Sequence, residues 1–523
     1  MTTGRTTTGR TTTGRETTHR DVVIVGAGLS GIGAAYRLQT ECPGRSYAIL
    51  EAREASGGTW DLFRYPGVRS DSDMFTLGYP FRPWTDAKAI ADGPSILRYI
   101  RETAAEYGID ENIRYRTKVV GADWSSRDAC WTLDLDCAGD DGTVERQTLT
   151  CDFLYSCAGY YDYASGHTPE FPGLDAYQGT VVHPQFWPDD LDWAGKRVVV
   201  IGSGATAVTL VPSLAGEAAS VTMLQRTPTW ISAVPGRDAI ADRIRAVLPP
   251  QAAHRVVRTK NILFMIGVYQ FCRRSPQAAR RMFTKFNTRI LRDEQAVKEH
   301  FTPPYNPWEQ RLCAAPDADF FRAVRDGNAD VVTGGIDTFV PDGIKLADGR
   351  VLPADIVVTA TGLRLLAFGG ITPTVDGAAV DLAKQFVWRG AMLTGLPNFA
   401  VCIGYTNASW TLRADLTSRL VCKVLNHLDR HGYAAVEPRP TGPLDERPLL
   451  DLMSGYVRRS IDAFPRQGHR SPWKVRQNYV LDAATTMRTN LHRTLRPIRR
   501  PTPSEGSPQV TGRAAASSAG SSS

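Results

Sequence analysis

The sequence predicts an α/β protein built from two parallel-sheet units, the second of which is interrupted by a helical segment. Two stretches support this fold class, because "DVVIVGAGLSGIGAAYRL" and "KRVVVIGSGATAVTLVPSLA" each resemble a β-branched strand, a glycine-rich turn and an amphipathic helix. A second strand follows each of them, in "SYAILEA" and "SVTMLQRTPTW". From Pro235 to about Glu309 no such turn occurs, and this segment is predicted to be mainly helical. The strand pattern returns at Asp355, in "DIVVTATGL".

The first glycine-rich turn has the spacing Gly26-x-Gly28-x-x-Gly31, which is typical of a pyrophosphate site. Glycine allows a tight turn and a close approach of the ligand to the backbone, and the helix that follows presents N–H groups to an anion. Glu51 ends the next strand 20 residues after Gly31, where an acid would accept hydrogen bonds from a ribose. The sequence therefore predicts a dinucleotide site here.

The second turn, Gly202-x-Gly204-x-x-Ala207, repeats this spacing with a different second strand. That strand ends in Gln225, Arg226 and Thr227, with no acid. An acid would repel a 2′-phosphate, whereas Arg can bind one bidentately. We therefore expect NADPH rather than NADH at this site, with a solvated surface role for Arg226 as the alternative.

Composition argues against a nucleic-acid-binding protein. The net charge is +7, but residues 1–20 carry +3 and residues 488–523 carry +5, which leaves −1 for the remainder. The nine Cys residues include no CxxC pair and no zinc-like spacing, so reduced thiols in a cytoplasmic protein are expected and no metal site is predicted. At 523 residues the chain should form two or three domains.

No transmembrane span is expected, because no apolar run reaches about 18 residues. No signal peptide is expected, because the N-terminus is polar and a core strand follows at once. The longest candidate runs from Ile262 to Cys272 between Lys260 and Arg273, and is expected to be a buried helix rather than an interfacial one. A basic tail could still bring the protein to an acidic membrane surface. The repeat "TTTGR" near the start and the Ser- and Pro-rich end lack core residues and are predicted to be disordered.

Two further stretches carry a family resemblance. "GGTWDLFRYPGVRSD", from Gly57 to Asp71, matches the pattern [A/G]GxWxxxx[F/Y]P[G/M]xxxD. "YQGTVVHPQFWP", from Tyr177 to Pro188, matches FxGxxxHxxxW with Tyr in place of the usual Phe. Both patterns resemble those of the Baeyer–Villiger flavin monooxygenases, and the chain looks most like the ethionamide-activating members of that family. The resemblance covers nearly the whole folded region but neither tail.

The resemblance implies two Rossmann-like dinucleotide-binding domains, for FAD and NADPH, with a helical insertion in the second. The FAD domain would comprise residues 21–165 and 366–495, and the NADP domain residues 166–234 and 311–365. The insertion would span 235–310, with disordered tails at 1–20 and 496–523. The implied reaction uses O₂ to insert one oxygen atom into ketones, giving esters or lactones, and to oxidise sulfur in sulfides or thioamides.

The resemblance also implies roles for individual residues. Arg311, in "PYNPWEQRLC", would be the catalytic cation and Asp71 would orient it, although Gln310 stands where many relatives have Lys. His183 would belong to a linker between domains. The implied cofactor-binding residues are Gly26, Gly28, Ser30, Gly31, Glu51, Thr59, Trp60 and Asp71 for FAD, and Gly202, Ser203, Gly204, Ala205, Thr206, Ala207, Arg226 and Thr227 for NADPH.

Several alternatives remain open at the level of sequence. Asp71 could cap a helix, because the run from Ser70 to Asp73 contains only cap-forming residues. Arg311 could form a structural salt bridge, and Asn407, Ser409 and Trp410 could belong either to the pocket or to the core. The chain could also be an N- or S-monooxygenase without ketone activity, or a degenerate flavoprotein with a binding role. A disulfide reductase is disfavoured because the chain has no CxxC pair.

Overall fold

The computed structural model describes residues 18–450 and 453–500 and confirms the predicted α/β class, with parallel strands around each glycine-rich turn, although the first sheet is mixed and contains antiparallel pairs. The first sheet has eleven strands. Along its main path they are Ala378–Ala379, Thr372–Val375, Thr117–Ser125, Cys130–Ala138, Val144–Ser156, Thr18–Val25, Tyr47–Leu50 and Ile113–Arg114. Phe399–Val401 also pairs with Val144–Ser156, and it is extended by Met392–Leu393 and Val387–Trp388.

The second sheet is entirely parallel, with the strand order Asp330–Thr333, Ser220–Gln225, Arg197–Ile201, Ile356–Thr359 and Thr180–Val182. Alternate residues of Arg197–Ile201 enter two different cores, Val198 and Val200 on one face and Val199 and Ile201 on the other. In the first sheet, Val22 and Ile24 likewise belong to the core on one face, and Val23 and Val25 belong to the core on the other face. Burial of both faces explains why these strands are continuous apolar runs.

Helices cover the sheets and form the predicted insertion. The insertion consists of Ala239–Val247, Pro250–Arg274, Pro276–Leu291 and Glu294–His300. The remaining α-helices are Leu29–Glu41, Thr59–Leu62, Met74–Leu77, Gly93–Glu106, Ala205–Leu214, Asp319–Arg325, Trp410–His431, Gly455–Ser460 and Tyr479–Met487. Short 3-10 helices are Asp110–Asn112, Leu174–Ala176, Pro184–Phe186, Ala367–Gly370, Leu382–Lys384, Ile461–Ala463 and Leu491–Arg493.

Small strand pairs complete the fold. They are Tyr161–Gly166 with Leu363–Leu365, Ile231–Val234 with Cys313–Pro316, Ala435–Pro438 with Leu495–Ile498, and Arg447–Pro448 with Arg466–Gln467. A three-stranded sheet contains Ile336–Val340, Gly343–Leu346 and Val351–Pro353. The pair Tyr161–Gly166 and Leu363–Leu365 marks the place where the chain passes between the two large sheets in each direction.

The folded region is longer at both ends than the predicted boundaries at residues 20/21 and 495/496. Thr18, His19 and Arg20 pair with Leu149–Cys151, and the strand Leu495–Ile498 pairs with Ala435–Pro438. Thr18–Arg20 is polar and basic, and the residues after Leu495 in the second strand are Arg496, Pro497 and Ile498, so neither addition has an apolar pattern that detects it, whereas a β-ladder needs only backbone groups. The rest of the predicted tails lies outside the described residues.

The expectation of a buried helix at Ile262 to Cys272 is correct for one face only. Ile262 and Cys272 are buried, but Leu263 and Phe264 are 56% and 69% exposed on the opposite face. Within residues 18–450 and 453–500, no helix is both long and apolar enough to cross a membrane. None of the nine Cys residues, all of which fall in these ranges, is in a disulfide.

Candidate active site

Both glycine-rich turns open onto one cavity of about 1480 Å³. Arg311 and Asp71 line the same cavity, together with Gln310. Among the predicted site residues, only Gly31 and Ala207 do not face it. The structure therefore brings together, from two domains, nearly all residues that the sequence singled out.

The first glycine of each turn lies directly against a neighbouring strand end. Gly26 has φ +101°, and a Cβ there would meet the Cys157 carbonyl oxygen at 2.9 Å. Gly202 has φ +136°, and a Cβ there would meet the Ala360 carbonyl oxygen at 2.2 Å. The two turns therefore require glycine at this position for the same reason, which is backbone geometry combined with close packing.

The third position of each turn is packed against the protein. A Cβ on Gly31 would lie 1.9 Å from the Gly26 carbonyl oxygen, and Ala207 is fully buried in the core of the second domain. The cofactor-binding role of Gly31 and Ala207 stays a prediction, and neither residue lines the cavity. Close helix–strand packing is the recognised requirement at this position of the motif.

The helices that follow the turns have N-termini without side-chain caps. Leu29–Glu41 begins after Gly28, Ala205–Leu214 begins after Gly204, and neither capping residue offers a side chain to the first N–H groups. Since uncapped N–H groups at a helix start attract phosphate, both turns are suited to a pyrophosphate in the cavity.

Glu51 stabilises the first turn as well as lining the cavity. Its Oε2 accepts a hydrogen bond from the Ala27 N–H at 2.7 Å, and its Oε1 accepts one from the Arg53 N–H at 3.0 Å. The side chain is buried, and this burial raises the pKa of the carboxyl despite the two backbone hydrogen bonds. Each carboxylate oxygen retains further acceptor capacity for a ribose hydroxyl.

The second turn is followed by an exposed cation. Arg226 lines the cavity, and no salt bridge or hydrogen bond engages its side chain within the part of the chain described. The Ser203 hydroxyl donates to the Thr227 carbonyl at 3.0 Å and so ties the turn to the end of the second strand. The guanidinium is therefore available to an anion near this turn.

The segment from Gly57 to Asp71 joins the two domains. It contains the one-turn helix Thr59–Leu62, and its Tyr65 and Val68 belong to the core cluster of the second domain. A Cβ on Gly67 would lie 1.9 Å from the Ser213 hydroxyl oxygen on helix Ala205–Leu214. Its aromatic residues are therefore needed for packing between domains as well as for lining the cavity.

Asp71 does not cap a helix. The cap of helix Met74–Leu77 is Asp73, whose carboxylate accepts a hydrogen bond from the Thr76 N–H at 3.0 Å. Asp71 Oδ2 instead lies 3.5 Å from Arg311 Nη2, with the two side chains 28% and 30% exposed. The capping alternative is therefore excluded for Asp71.

Arg311 is held from two sides. Besides its ion pair with Asp71, its Nη1 donates to the Thr406 carbonyl oxygen at 3.1 Å. Burial opposes the charged form, but the Asp71 carboxylate and nearby tyrosines raise the pKa of Arg311 above its usual value. The site therefore contains a fixed, permanent positive charge.

Three tyrosines around Arg311 were missed by sequence reasoning. Tyr160, Tyr161 and Tyr456 line the cavity, and the hydroxyls of Tyr160 and Tyr161 lie 3.5 Å apart. Burial raises the pKa of all three, so they remain neutral. Tyr160 and Tyr161 follow the carboxyl end of strand Val144–Ser156, a position where ligands bind in open α/β sheets, and this signal could have identified them.

His183 lies beside the crossing between domains. Its Nε2 is 3.2 Å from the Gly362 carbonyl oxygen, and its Nδ1 accepts from the Gln185 N–H at 3.2 Å. These contacts select the neutral tautomer with the proton on Nε2, and burial lowers the pKa of the ring. The linker role implied for His183 agrees with this position.

The segment from Tyr405 to Leu416 contributes Tyr405, Ala408 and Trp410 to the cavity wall. The contact of Trp410 is the most specific. Its indole Nε1 donates to the Ser30 hydroxyl at 2.8 Å, which connects this segment to the first turn. Asn407 is buried and donates to the Gln477 carbonyl, and Ser409 is buried against the Thr76 hydroxyl. Of Asn407, Ser409 and Trp410, only Trp410 lines the large cavity.

Two known families match parts of this chain between residues 24 and 238, and known proteins resemble it along most of its length. A family described as flavin-binding monooxygenase-like matches residues 77–238, and an NAD(P)-binding Rossmann-like domain matches residues 24–92. The FAD-containing monooxygenase EthA of Mycobacterium tuberculosis is 52% identical over 486 residues, which cover 92% of this chain and 98% of that protein. The probable FAD-binding monooxygenase AlmA of Acinetobacter baylyi is 44% identical over 88% of this chain and 92% of its own length.

Solved structures share the fold at lower identity. An oxidised steroid monooxygenase bound to NADP superposes with a TM-score of 0.70 at 21% identity, covering 92% of this chain and all of that one. An open structure of cyclohexanone monooxygenase gives a TM-score of 0.66 at 21% identity, with 81% and 90% covered. At this identity the likeness concerns the fold.

Proposed function

The chain belongs to the family of FAD-containing monooxygenases, and we propose that it uses NADPH and O₂ to insert one oxygen atom into ketones and to oxidise sulfur in sulfides or thioamides. One observation carries the proposal: both glycine-rich turns and the Arg311–Asp71 pair line the same cavity. A cavity shared in this way allows hydride delivery and oxygen transfer to occur at one place.

FAD would occupy the first turn and NADPH the second. The uncapped helix starts at Leu29 and Ala205 would bind the two pyrophosphates, and Glu51 would accept hydrogen bonds from the FAD ribose. Arg226 would bind the 2′-phosphate of NADPH. When bound, FAD supplies the chemistry that activates O₂, and NADPH supplies the hydride.

Arg311 would stabilise negative charge on oxygen at the reacting centre. A guanidinium does not lose its proton, so it can stabilise an anion without becoming its acid. Such stabilisation is strongest where donors are fixed and water is scarce. The Thr406 carbonyl and Asp71 supply the fixation, and the neutral tyrosines Tyr160 and Tyr456 contribute apolar ring surface that excludes water.

A panel of ketones and sulfides, incubated with NADPH and ¹⁸O₂, tests the proposal directly. We expect esters or lactones that carry one labelled oxygen per NADPH consumed. Sulfoxides without any ester would favour an N- or S-monooxygenase that lacks ketone activity. A colourless protein, or a yellow protein that consumes no NADPH, would favour a binding role and refute the proposal.

We also propose a peripheral contact with anionic membranes, through helices Pro250–Arg274 and Pro276–Leu291. Residues 250–291 contain nine Lys or Arg and no Asp or Glu. Eight of these cations form no salt bridge within the described residues, and six of the eight also form no side-chain hydrogen bond there: Arg255, Arg273, Arg274, Arg281, Lys285 and Arg289. Exposed apolar side chains accompany them, with Phe264 at 69%, Leu263 at 56% and Phe286 at 47%. Apolar and basic residues together suit an interfacial helix, whereas two copies of this face would repel each other.

Sedimentation with vesicles of phosphatidylglycerol and phosphatidylcholine tests this contact. We expect binding to the anionic vesicles that decreases with salt and with the double change Leu263→Ser and Phe264→Ser. Val351→Ser is the matched control, because Val351 is 46% exposed on a strand elsewhere. A shortened chain of residues 18–500 separates this face from the basic tails. Salt-insensitive self-association through Leu263 and Phe264 would instead indicate an interface between copies.

A further inference from the structure

Three histidines meet where helix Trp410–His431 ends. His427 and His431 lie one helical turn apart, and His492 comes from the 3-10 helix Leu491–Arg493. The ring centroids are 4.4 Å apart for His427 and His431, 4.6 Å for His427 and His492, and 4.7 Å for His431 and His492. One nitrogen of each ring lies within 4.8 Å of the others. We propose that these three imidazoles bind one divalent transition-metal ion, with Zn²⁺ as the best fit.

The spacing suits three ligands of one ion. Residues four apart on a helix project from the same face, so His427 and His431 can bind together. Zn–N bonds of about 2.1 Å in a tetrahedron need nitrogens about 3.4 Å apart. His431 and His492 are exposed, so small side-chain rotations would close the difference. Water or a small anion would occupy the fourth position.

The orientation of His431 supports the same conclusion. Its Nδ1 lies 2.9 Å from the His427 carbonyl oxygen and is placed to donate a proton to it. This contact leaves Nε2 with a free lone pair, as in metal sites where the second ring nitrogen donates to a carbonyl.

Charge also determines which cations fit. The group contains no carboxylate, which disfavours Mg²⁺ and Ca²⁺, whereas imidazoles suit Zn²⁺, Cu²⁺ and Ni²⁺. The positive charges of Lys423 and Arg430 lie nearby and lower the affinity for a metal cation. The Lys423 ammonium is held by hydrogen bonds to the Met487 and Thr489 carbonyl oxygens.

A bound ion would connect two parts of the fold that are far apart in sequence. It would join the end of helix Trp410–His431 to Leu491–Arg493, immediately before strand Leu495–Ile498. The other end of that helix, at Trp410, is about 30 Å away at 1.5 Å per residue. The site would therefore stabilise the last described strand without taking part in oxygen transfer.

The test uses full-length holoenzyme that carries no polyhistidine tag and has been treated with a chelator. Zn²⁺ binding is measured by calorimetry, and Co²⁺ binding by ligand-field absorption. We expect one equivalent to bind and the melting temperature to rise. Both His431→Ala and His492→Ala should weaken binding at least tenfold, and turnover without metal should stay unchanged. His469→Ala is the control, because His469 pairs with Asp445 outside the cluster.

Three results would overturn the proposal. The first is stoichiometric binding that neither His431→Ala nor His492→Ala weakens. The second is no saturable binding of Zn²⁺ or Co²⁺ by a protein whose flavin content and melting temperature are normal. A charge-transfer band of a Co²⁺–thiolate complex would assign the ion to a cysteine such as Cys130 or Cys137, the two that are partly exposed, and would likewise refute the histidine site.

Discussion

Replacing Arg311 by Ala should separate NADPH oxidation from oxygen transfer. Reduction of the flavin needs only NADPH and the two dinucleotide sites, whereas oxygen transfer also needs stabilised negative charge at the reacting centre. Loss of one donor to such a charge costs roughly 10²–10³-fold in rate. Because Arg311 is 30% exposed and therefore partly screened, the lower figure of about 10²-fold applies. Electrons from NADPH should then leave as hydrogen peroxide instead of ester.

The two contacts of Arg311 predict a graded series. Arg311→Lys should recover little, because an ammonium cannot satisfy both the Thr406 carbonyl and Asp71 in the fixed geometry of a guanidinium. Asp71→Ala should cause a weaker defect than Arg311→Ala, since the Thr406 carbonyl still orients the guanidinium. Both variants should retain FAD.

The assay is the yield of ester and of hydrogen peroxide per NADPH consumed, with the rate of flavin reduction measured separately. Arg64→Ala is the matched control, because the Arg64 side chain is 57% exposed and its ion pair with Asp189 is long, at 4.0 Å. If Arg311→Ala forms ester as tightly coupled to NADPH as the unaltered protein does, Arg311 is structural and the reasoning is wrong.

Four further outcomes are expected. Denaturing the purified yellow protein should release FAD into the supernatant, and a colourless supernatant from a stable yellow protein would contradict a noncovalent site. Arg226→Ala should raise KM for NADPH about 10- to 150-fold, because one charge-assisted contact contributes roughly 1.5–3 kcal/mol. KM for NADH should stay nearly unchanged, and equal effects on both coenzymes would show that Arg226 does not bind the 2′-phosphate. A chain of residues 18–500 should keep its flavin and activity, whereas removal of Thr18–Arg20 as well should lower the melting temperature. Burial and Arg258 lower the pKa of His254 to about 4, so the unfolded state binds more protons than the folded state below pH 6.5. The free energy of unfolding should therefore fall by about 2–3 kcal/mol between pH 6.5 and pH 4. His254→Gln should reduce this pH dependence, measured by urea titrations at a series of pH values.

Local patterns predicted both glycine-rich turns and the strands beside them correctly, but not the antiparallel strands from Thr117 to Ser156 in the first sheet. A turn such as Gly26-x-Gly28-x-x-Gly31 constrains the backbone over a few residues, so its shape depends little on the rest of the chain. The same holds for the apolar strands, since burial of both faces leaves a continuous apolar run in the sequence. The positions of Arg311 and Asp71 in one cavity agreed with the resemblance, although their catalytic roles stay predictions.

By itself, the sequence determined the strand–turn–helix order around the two glycine-rich turns, because each such unit is encoded within about ten to twenty neighbouring residues. Only the tertiary structure decided which distant groups meet. Examples are the Thr406 carbonyl on Arg311, the Trp410 indole on Ser30, and His492 beside His431. It also decided that Asp73 caps the helix Met74–Leu77, whereas Asp71 pairs with Arg311. These contacts depend on how the two sheets and the insertion pack together. The spacing of residues along the chain does not predict that packing, because the residues in contact are far apart in sequence.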